Sequence, residues 1–376
     1  MKILLTGGGS GGHFYPLIAV AESINRIAKE KKLVDVKLFY MAPQPYDERV
    51  LFENNITFVK CDAGKLRRYF SLLNVLDFLK MIWGSLRATW TLYWIYPDVV
   101  FGKGGYVSFP VLFASWFLNI PVIIHESDSV PGKVNRWAGK FAKKIALSYS
   151  DAAEYFSKKE KIALTGNPVR QEVLHAVKDG SYEYLNLEKG VPVILILGGS
   201  QGALAINQCI YDILGELVEK YQVIHQAGKK NIIFAKSNSE AVLLTNKFKH
   251  RYHVYDSLNS LTLRMAAGAA DLIVSRAGST IFEIAVWGVP SIIIPIEDSN
   301  GDHQRLNAFN YARSGAAVVI EEANLTPHLL FSEIDRLMED PANREKMRQA
   351  ALGFARLDAA DLIAKELVAI GLEHEK

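Results

Sequence analysis

Short apolar runs alternate with longer stretches of helical periodicity along this chain, and their order sets the architecture. Residues 2–5 read as a strand, a helix follows from about Pro16 to Lys29, and residues 36–40 read as the next strand. The same rhythm gives a strand at 99–101, a helix at 110–118 and a strand at 122–124. A polar, turn-rich stretch from Asp179 to Pro192 interrupts it. It restarts with a strand at 193–197, a helix at 203–221, strands at 223–226 and 272–274, a helix at 280–287 and a strand at 291–294. Strands covered by helices on both faces read as unbroken apolar runs. The pattern therefore predicts an α/β protein of two doubly wound, Rossmann-like domains. Ligands of such sheets sit beyond the carboxyl ends of the strands, so two such domains facing a deep cleft would present their turns on its opposite walls.

Two patterns depart from that rhythm. Leu72, Leu76, Leu79, Trp83 and Leu86 fall on one helix face, bracketed by Lys65, Arg67, Arg68, Lys80 and Arg87. Lys133, Arg136, Lys140 and Lys144 recur at helical spacing, with no acidic residue from 133 to 144. Core packing is the usual meaning of an apolar stripe. Apolar side chains beside clustered cations are also what a protein resting on anionic lipid presents, and membrane contact is the preferred reading. The uncharged stretch 104–124 is not a membrane span, because Pro110, Asn119 and Pro121 divide it into a short helix and a short strand.

Composition narrows the class. At 376 residues and 49% hydrophobic, the chain can fill two cores, and a net charge of +3 is too mild for a nucleic-acid binder. Cys61 and Cys209 lie far apart, which argues against a disulfide framework or a thiolate metal site and fits a reducing cytosol. Thr6 and Gly7 arrive too soon after Met1 for the apolar core of a secretory signal, so the protein is expected to stay inside the cell.

The chemistry concentrates where strands end. Gly7, Gly9 and Gly12 follow the first apolar run at G-x-G-x-x-G spacing, which suits close approach of a phosphate, and His13 adds an imidazole that can accept a proton or bind phosphate. A glycine-rich connection without a ligand remains the plain alternative. NAD would need an acidic residue closing the second strand, but that strand runs into Met41, Ala42 and Pro43. Two more glycine turns follow strands, at 198–202 and 275–280. Arg170, in Gly166-Asn167-Pro168-Val169-Arg170, and Ser200 would suit a diphosphate, and Arg170 reads equally as a surface cation. Glu283, one turn into its helix, either accepts ribose hydroxyls or complements the helix dipole. No D-x-D pair occurs, so a divalent ion bridging a diphosphate to paired aspartates is not expected.

Taken together, Gly11-Gly12-His13, Gly104-Gly105-Tyr106-Val107-Ser108, His125-Glu126, Gly166 to Arg170, Gly198 to Ala203, His225-Gln226 and Ser275 to Glu283 resemble the MurG glycosyltransferase family in order and spacing. The resemblance implies a GT-B fold and an inverting transferase without cofactor or metal. Such an enzyme moves N-acetylglucosamine from UDP-N-acetylglucosamine to the C4 hydroxyl of the muramoyl sugar of lipid I, forming lipid II for peptidoglycan. By the same resemblance, Ser10, Gly11 and Gly12 face the diphosphates with the donor set. Arg170, Ser200 and Gln304 hold the donor, Glu283 takes the uridine ribose, Ala277, Gly278, Ser279 and Thr280 present amides to the donor phosphates, and the backbone near Tyr255 contacts uracil. Gly9, Tyr106 and Glu126 belong to the acceptor loops, and His13 is the general base or a phosphate contact.

The sequence departs from the family after His125-Glu126, where Ser127-Asp128 replaces the usual Gln-Asn, which makes Asp128 an alternative base. Leu72, Leu76, Leu79, Trp83, Trp116 and Lys140 match the family's membrane-facing patch, implying a peripheral protein on the cytoplasmic side of the cell membrane. The expected division is an acceptor domain over 1–163, a donor domain over 164–345 and a C-terminal helix over 346–376 packing back on the first. The rivals are a transferase acting on diacylglycerol or another lipid, and a UDP-N-acetylglucosamine epimerase of similar fold.

Overall fold

The computed structural model describes residues 1–64, 73–199, 202–299 and 301–374. Lys65, Arg67, Arg68, Leu72 and Ser200 lie outside the described residues, as does the side chain of Leu76. The chain forms two compact units, one of Met1–Arg170 with Arg356–Lys376 and the other of Gln171–Ala355.

The first unit is built on seven parallel strands: β1 (Lys2–Thr6), β2 (Lys37–Ala42), β3 (Ile56–Lys60), β4 (Val99–Gly102), β5 (Val122–Glu126), β6 (Lys144–Leu147) and β7 (Ile162–Leu164). Their spatial order is β3-β2-β1-β4-β5-β6-β7, with Leu4 paired to Phe39 on one side and Val100 on the other. The second unit repeats the scheme with β8 (Val193–Leu197), β9 (Gln222–Gln226), β10 (Tyr252–Tyr255), β11 (Leu272–Ser275), β12 (Ser291–Ile293) and β13 (Ala317–Val319). Its order is β10-β9-β8-β11-β12-β13. In each sheet the order reverses beside the first strand, between β1 and β4 and between β8 and β11, and that reversal opens a crevice for ligands.

Apolar runs drive both cores. Leu17 and Ile24 of the helix Gly11–Glu30 pack with Leu5, Phe101 and Leu367, so the C-terminal helix Ala359–His374 closes one face of the first sheet. The other face carries Ala88, Leu92, Val111 and Leu112 from the helices Leu73–Ile95 and Phe109–Phe117. In the second unit Ile206, Ile210 and Leu217 cover Ile194, Ile196 and Val274.

The main helices and strands lie where the pattern puts them, with three differences. The first helix begins at Gly11, not near Pro16, and places His13 in its opening turn. Pro16 is tolerated there because it costs only the hydrogen bond to the carbonyl of Gly12, close to the helix end. The strands β3, β6, β7, β10 and β13 were not marked by the pattern, being three to five residues long and, in β3 and β7, largely uncovered. Finally, Lys133, Arg136, Lys140 and Lys144 do not share a helix: it ends at Ala138, where Gly139 caps it, and Lys144 opens β6. All four cations are nevertheless exposed.

The helix Leu73–Ile95 turns its aromatic face outward. Leu79 is 55% exposed, Trp83 63% and Leu86 60%, so the described part of that stripe is not core. The face runs on through Trp90 and Trp94, whose rings meet edge to face at 5.8 Å. Among the described residues no helix is long and apolar enough to cross a membrane.

Candidate active site

In the first unit, the loops after β1, β4 and β5 meet at the reversal of strand order. Gly7 sits so close to the neighbouring strand that a Cβ there would lie 2.8 Å from Cβ of Lys103, and its carbonyl accepts a hydrogen bond from Tyr40 Oη at 2.7 Å. The turn then passes through Gly9 and Ser10 into the helix that starts at Gly11, whose leading amides have no carbonyl partner within the helix. Those amides and the helix dipole favour an anion. His13 stands beside the second glycine turn: a Cβ on Gly105 would lie 3.9 Å from its Nε2. Tyr106 flanks the first turn, its Cε1 3.7 Å from where a Cβ on Gly9 would stand. Gly104 is held at φ 81° with Asn135 packed against it, a conformation and a closeness that only glycine accepts without strain.

Beneath these turns lies a buried ionisable network. Glu126, at the end of β5, accepts hydrogen bonds from the Asp128 amide (3.1 Å), the Gly132 amide (3.0 Å) and Asn135 Nδ2 (2.9 Å). The first of these fixes the backbone that carries Asp128, whose side chain stays half-buried. Burial, with Asp128 adding to it, pushes the Glu126 carboxyl up to about 7. Lys103 is fully enclosed, with Nζ 2.6 Å from His125 Nδ1 and 2.8 Å from Asn167 Oδ1. Burial lowers its pKa to about 7, against the pull of Glu126 and Asp128. His125 is held neutral, its pKa pushed well down by burial and by Lys103.

Arg170 ends the first unit, its guanidinium 3.8 Å above the ring of Tyr15. Tyr15 packs against Phe14 and Tyr46 just inside the helix that carries His13. The structure thus gathers Gly9 to His13, Tyr106, Glu126 and Asp128 at one reversal point, and stacks the Arg170 side chain on Tyr15 of the helix that carries His13.

The second unit has its own reversal point, between β8 and β11. After β8, Gly199 faces open space and Gly202 bonds back to its carbonyl at 3.1 Å before the helix Leu204–Lys220. Ser275 Oγ reaches across to the Leu197 carbonyl at 3.3 Å. Beyond it Ala277 is buried, its carbonyl held by Asn307 Nδ2 at 3.3 Å, while Gly278 opens to solvent and Ser279 leads into the helix Thr280–Trp287. Glu283 sits half-buried in that first turn. Arg276 is engaged elsewhere, paired with Glu322 at 2.6 Å and bonded to the Ile294 carbonyl at 3.2 Å. Gln304, in the first turn of His303–Arg313, uses Oε1 to accept from the Ile296 amide at 3.2 Å. Tyr255 closes β10 half-buried, with its carbonyl taken by the Ala227 amide at 2.9 Å.

Of the residues read as holding the donor, Ser10, Gly11, Gly12 and Arg170 therefore belong to the first unit, and Tyr255, Ala277 to Thr280, Glu283 and Gln304 to the second. The sequence reading missed Lys103, Asn135 and Asn167. Lys103 and Asn167 do follow glycines at strand ends, Gly102 and Gly166, whereas Asn135 lies inside the helix Lys133–Ala138 and had no such signal.

The glycosyltransferase family 28 N-terminal domain matches residues 3–147, and the family 28 C-terminal domain matches 193–364. Among curated relatives, a Bacillus cereus protein described as UDP-N-acetylglucosamine--N-acetylmuramyl-(pentapeptide) pyrophosphoryl-undecaprenol N-acetylglucosamine transferase 2 is 33% identical over 369 residues, covering 97% of this chain and 99% of the relative. Among solved structures, that of Acinetobacter baumannii MurG superimposes with a TM-score of 0.72 at 24% identity, covering 98% of this chain and 99% of that one. A UDP-N-acetylglucosamine 2-epimerase fold from Listeria monocytogenes follows at 0.70 and 17% identity, covering 100% and 96%. At those identities the two superpositions speak for the GT-B architecture alone.

Proposed function

The chain belongs to the MurG branch of glycosyltransferase family 28, and from that premise we propose how its residues divide the work of an N-acetylglucosaminyltransferase. It transfers N-acetylglucosamine from UDP-N-acetylglucosamine to lipid I, a polyprenyl-diphospho-muramoyl peptide, and forms lipid II. Neither diacylglycerol transfer nor epimerisation is favoured by curated relatives of near-complete coverage.

An inverting displacement needs a base at the attacking hydroxyl and stabilisation of the departing diphosphate. The observation that carries the assignment is the placing of His13 Nε2 beside Gly105, in the opening turn of a helix whose first amides favour an anion. His13 takes the proton from the acceptor C4 hydroxyl, and the turns at Gly9 to Gly12 and Gly104 to Tyr106 receive the lipid diphosphate. Asp128, on a backbone fixed by Glu126, holds a sugar hydroxyl and is the competing base. In the second unit the amides of Ser279 and Thr280 meet the donor phosphates and Glu283 accepts the ribose hydroxyls. Gln304, with its carbonyl oxygen already engaged, offers its amide nitrogen to the donor. Arg170 supplies the guanidinium for the leaving diphosphate.

The acceptor is a membrane lipid, and the outward face of the helix Leu73–Ile95 with Trp116 gives the first unit a surface to meet the bilayer. Its aromatic rings, and the exposed cations Lys133, Arg136 and Lys140 of the same unit, are the chemistry of an anionic lipid interface. The protein is accordingly peripheral, on the cytoplasmic leaflet.

Transfer of radiolabelled sugar tests this reading. His13→Ala should lower kcat on lipid I about 100-fold or more, the usual weight of a general base, while UDP affinity stays unchanged. If Asp128→Asn abolishes turnover and His13→Ala spares it, the two roles are reversed. Labelled diacylglycerol in place of lipid II would overturn the acceptor.

A further inference from the structure

Lys103 is the most confined charge among the described residues near the glycine turns, and its contacts lead away from them. Lys103 is 1% exposed, and in its ammonium form it has only donors to offer. His125 Nδ1, at 2.6 Å, must therefore accept, which leaves the proton on Nε2. That nitrogen lies 3.0 Å from the Gly166 carbonyl, to which it donates, and 3.3 Å from Ser148 Oγ. Nζ also donates to Asn167 Oδ1 at 2.8 Å. One buried lysine thus grips two successive residues, Asn167 directly and Gly166 through the imidazole. Three residues beyond Asn167 is Arg170, stacked on Tyr15.

An ammonium taken out of water is costly to hold, and an unbranched apolar side chain of similar length would fill the same space at less cost. Packing alone therefore does not explain a lysine here. What the charge adds is direction: one hydrogen bond straight from the loop after β4 to Asn167, and a second path to Gly166 relayed through His125 of β5.

We infer that Lys103 is a positioning residue for sugar transfer, fixing the segment Gly166–Arg170 so that the Arg170 guanidinium is held on Tyr15, ready for the donor diphosphate. This rests on the donor role proposed for Arg170, so the test separates the two.

UDP affinity and donor KM are measured for the full-length protein, Lys103→Met, Arg170→Ala and the double variant. Arg170→Ala should weaken UDP binding roughly tenfold to a hundredfold, as loss of a charge-assisted hydrogen bond does. Lys103→Met should weaken it several-fold with its melting temperature kept or raised. The double variant should be no weaker than Arg170→Ala, because both remove the same interaction. Multiplying losses, or a Lys103→Met protein with unchanged UDP affinity, would overturn the positioning role. Should Lys103→Met fail to fold, Asn167→Leu removes the direct half of the grip and takes its place in the cycle. If Arg170→Ala leaves UDP affinity intact, the donor role of Arg170 fails instead. The positioning claim is then decided by NMR of the Arg170 Nε–H: loss of its ring-current shift from Tyr15 in Lys103→Met supports it, and a retained shift refutes it.

Discussion

Lys103 and Glu126 are ionisable residues that folding encloses in one network, and their signs in the pH dependence of stability are opposite. Burial lowers Lys103 from its ordinary 10.5 to about 7, so between those values the folded protein holds fewer protons than the unfolded chain. Its contribution to stability therefore rises with pH across that window, and below about 7 the full cost of burying the ammonium is present. Burial raises Glu126 from 4.5 to about 7, so there the folded protein holds more protons, and the stability that this confers below 4.5 is lost as pH rises through 7. Thermal melts across pH check both. The melting-temperature advantage of Lys103→Met over the unmodified protein should shrink between about 7 and 10.5, and that of Glu126→Gln should grow between 4.5 and about 7. Differences that stay flat across these windows would mean the groups titrate at their ordinary values. At this scale the sequence singled out His13 and the glycines, because a glycine turn is written in consecutive residues. It did not announce the grip of Lys103 on Asn167, which joins positions 64 apart and appears only once the sheet lays β4, β5, β6 and β7 in order.

Among the elements, the helix Leu73–Ile95 breaks the rule that its neighbours keep. The helix Gly11–Glu30 buries its apolar face, whereas this one buries Ala88 and Leu92 and leaves Trp83, Trp90 and Trp94 at 63%, 66% and 68% exposure. Monomeric proteins rarely expose a contiguous apolar surface beyond a few hundred Å² without a use for it. Replacing Trp83 and Trp90 by Ser should release the protein from vesicles containing anionic lipid, while transfer to a water-soluble acceptor analogue continues at an unchanged rate. Flotation with such vesicles measures the first and product formation the second. Because both side chains are largely solvated, the melting temperature should move little. Continued flotation of the double variant would remove this helix from the membrane reading. Helical spacing alone revealed the stripe through Leu79, Trp83 and Leu86 but not which way it faced, since period is the same for a face turned in or out. The basic run from Lys133 to Lys144 misled in the other direction: its spacing is helical, but the helix stops at Ala138.

On the scale of the whole molecule, the two units are not equivalent in how the chain builds them. The alternation of strands and helices was enough to read two doubly wound sheets, because each is made of consecutive β-α steps. The return of the C-terminal helix to the first unit, expected for residues 346–376, came with the family resemblance and not from that alternation. The helix Ala359–His374 places Ile363, Ala364, Leu367, Val368 and Ile370 against the helix Gly11–Glu30, and Arg26 pairs with Asp361. Burying each large aliphatic side chain is worth roughly 1.5–3 kcal/mol. Four such side chains together approach the roughly 5–15 kcal/mol that holds a typical domain folded. They cover the helix whose first turn carries His13. A chain ending at Ala355 should therefore lose the folded first unit and all transfer. Residues 171–355 form one continuous unit with its own six-stranded sheet and core, and expressed alone should fold and bind UDP. That fragment lacks Arg170, so its affinity should fall below that of the full chain by at least the factor lost in Arg170→Ala. Calorimetric titration of the fragment with UDP decides the matter: a folded fragment that binds no UDP would refute the assignment of the nucleotide to the loops after β8 and β11.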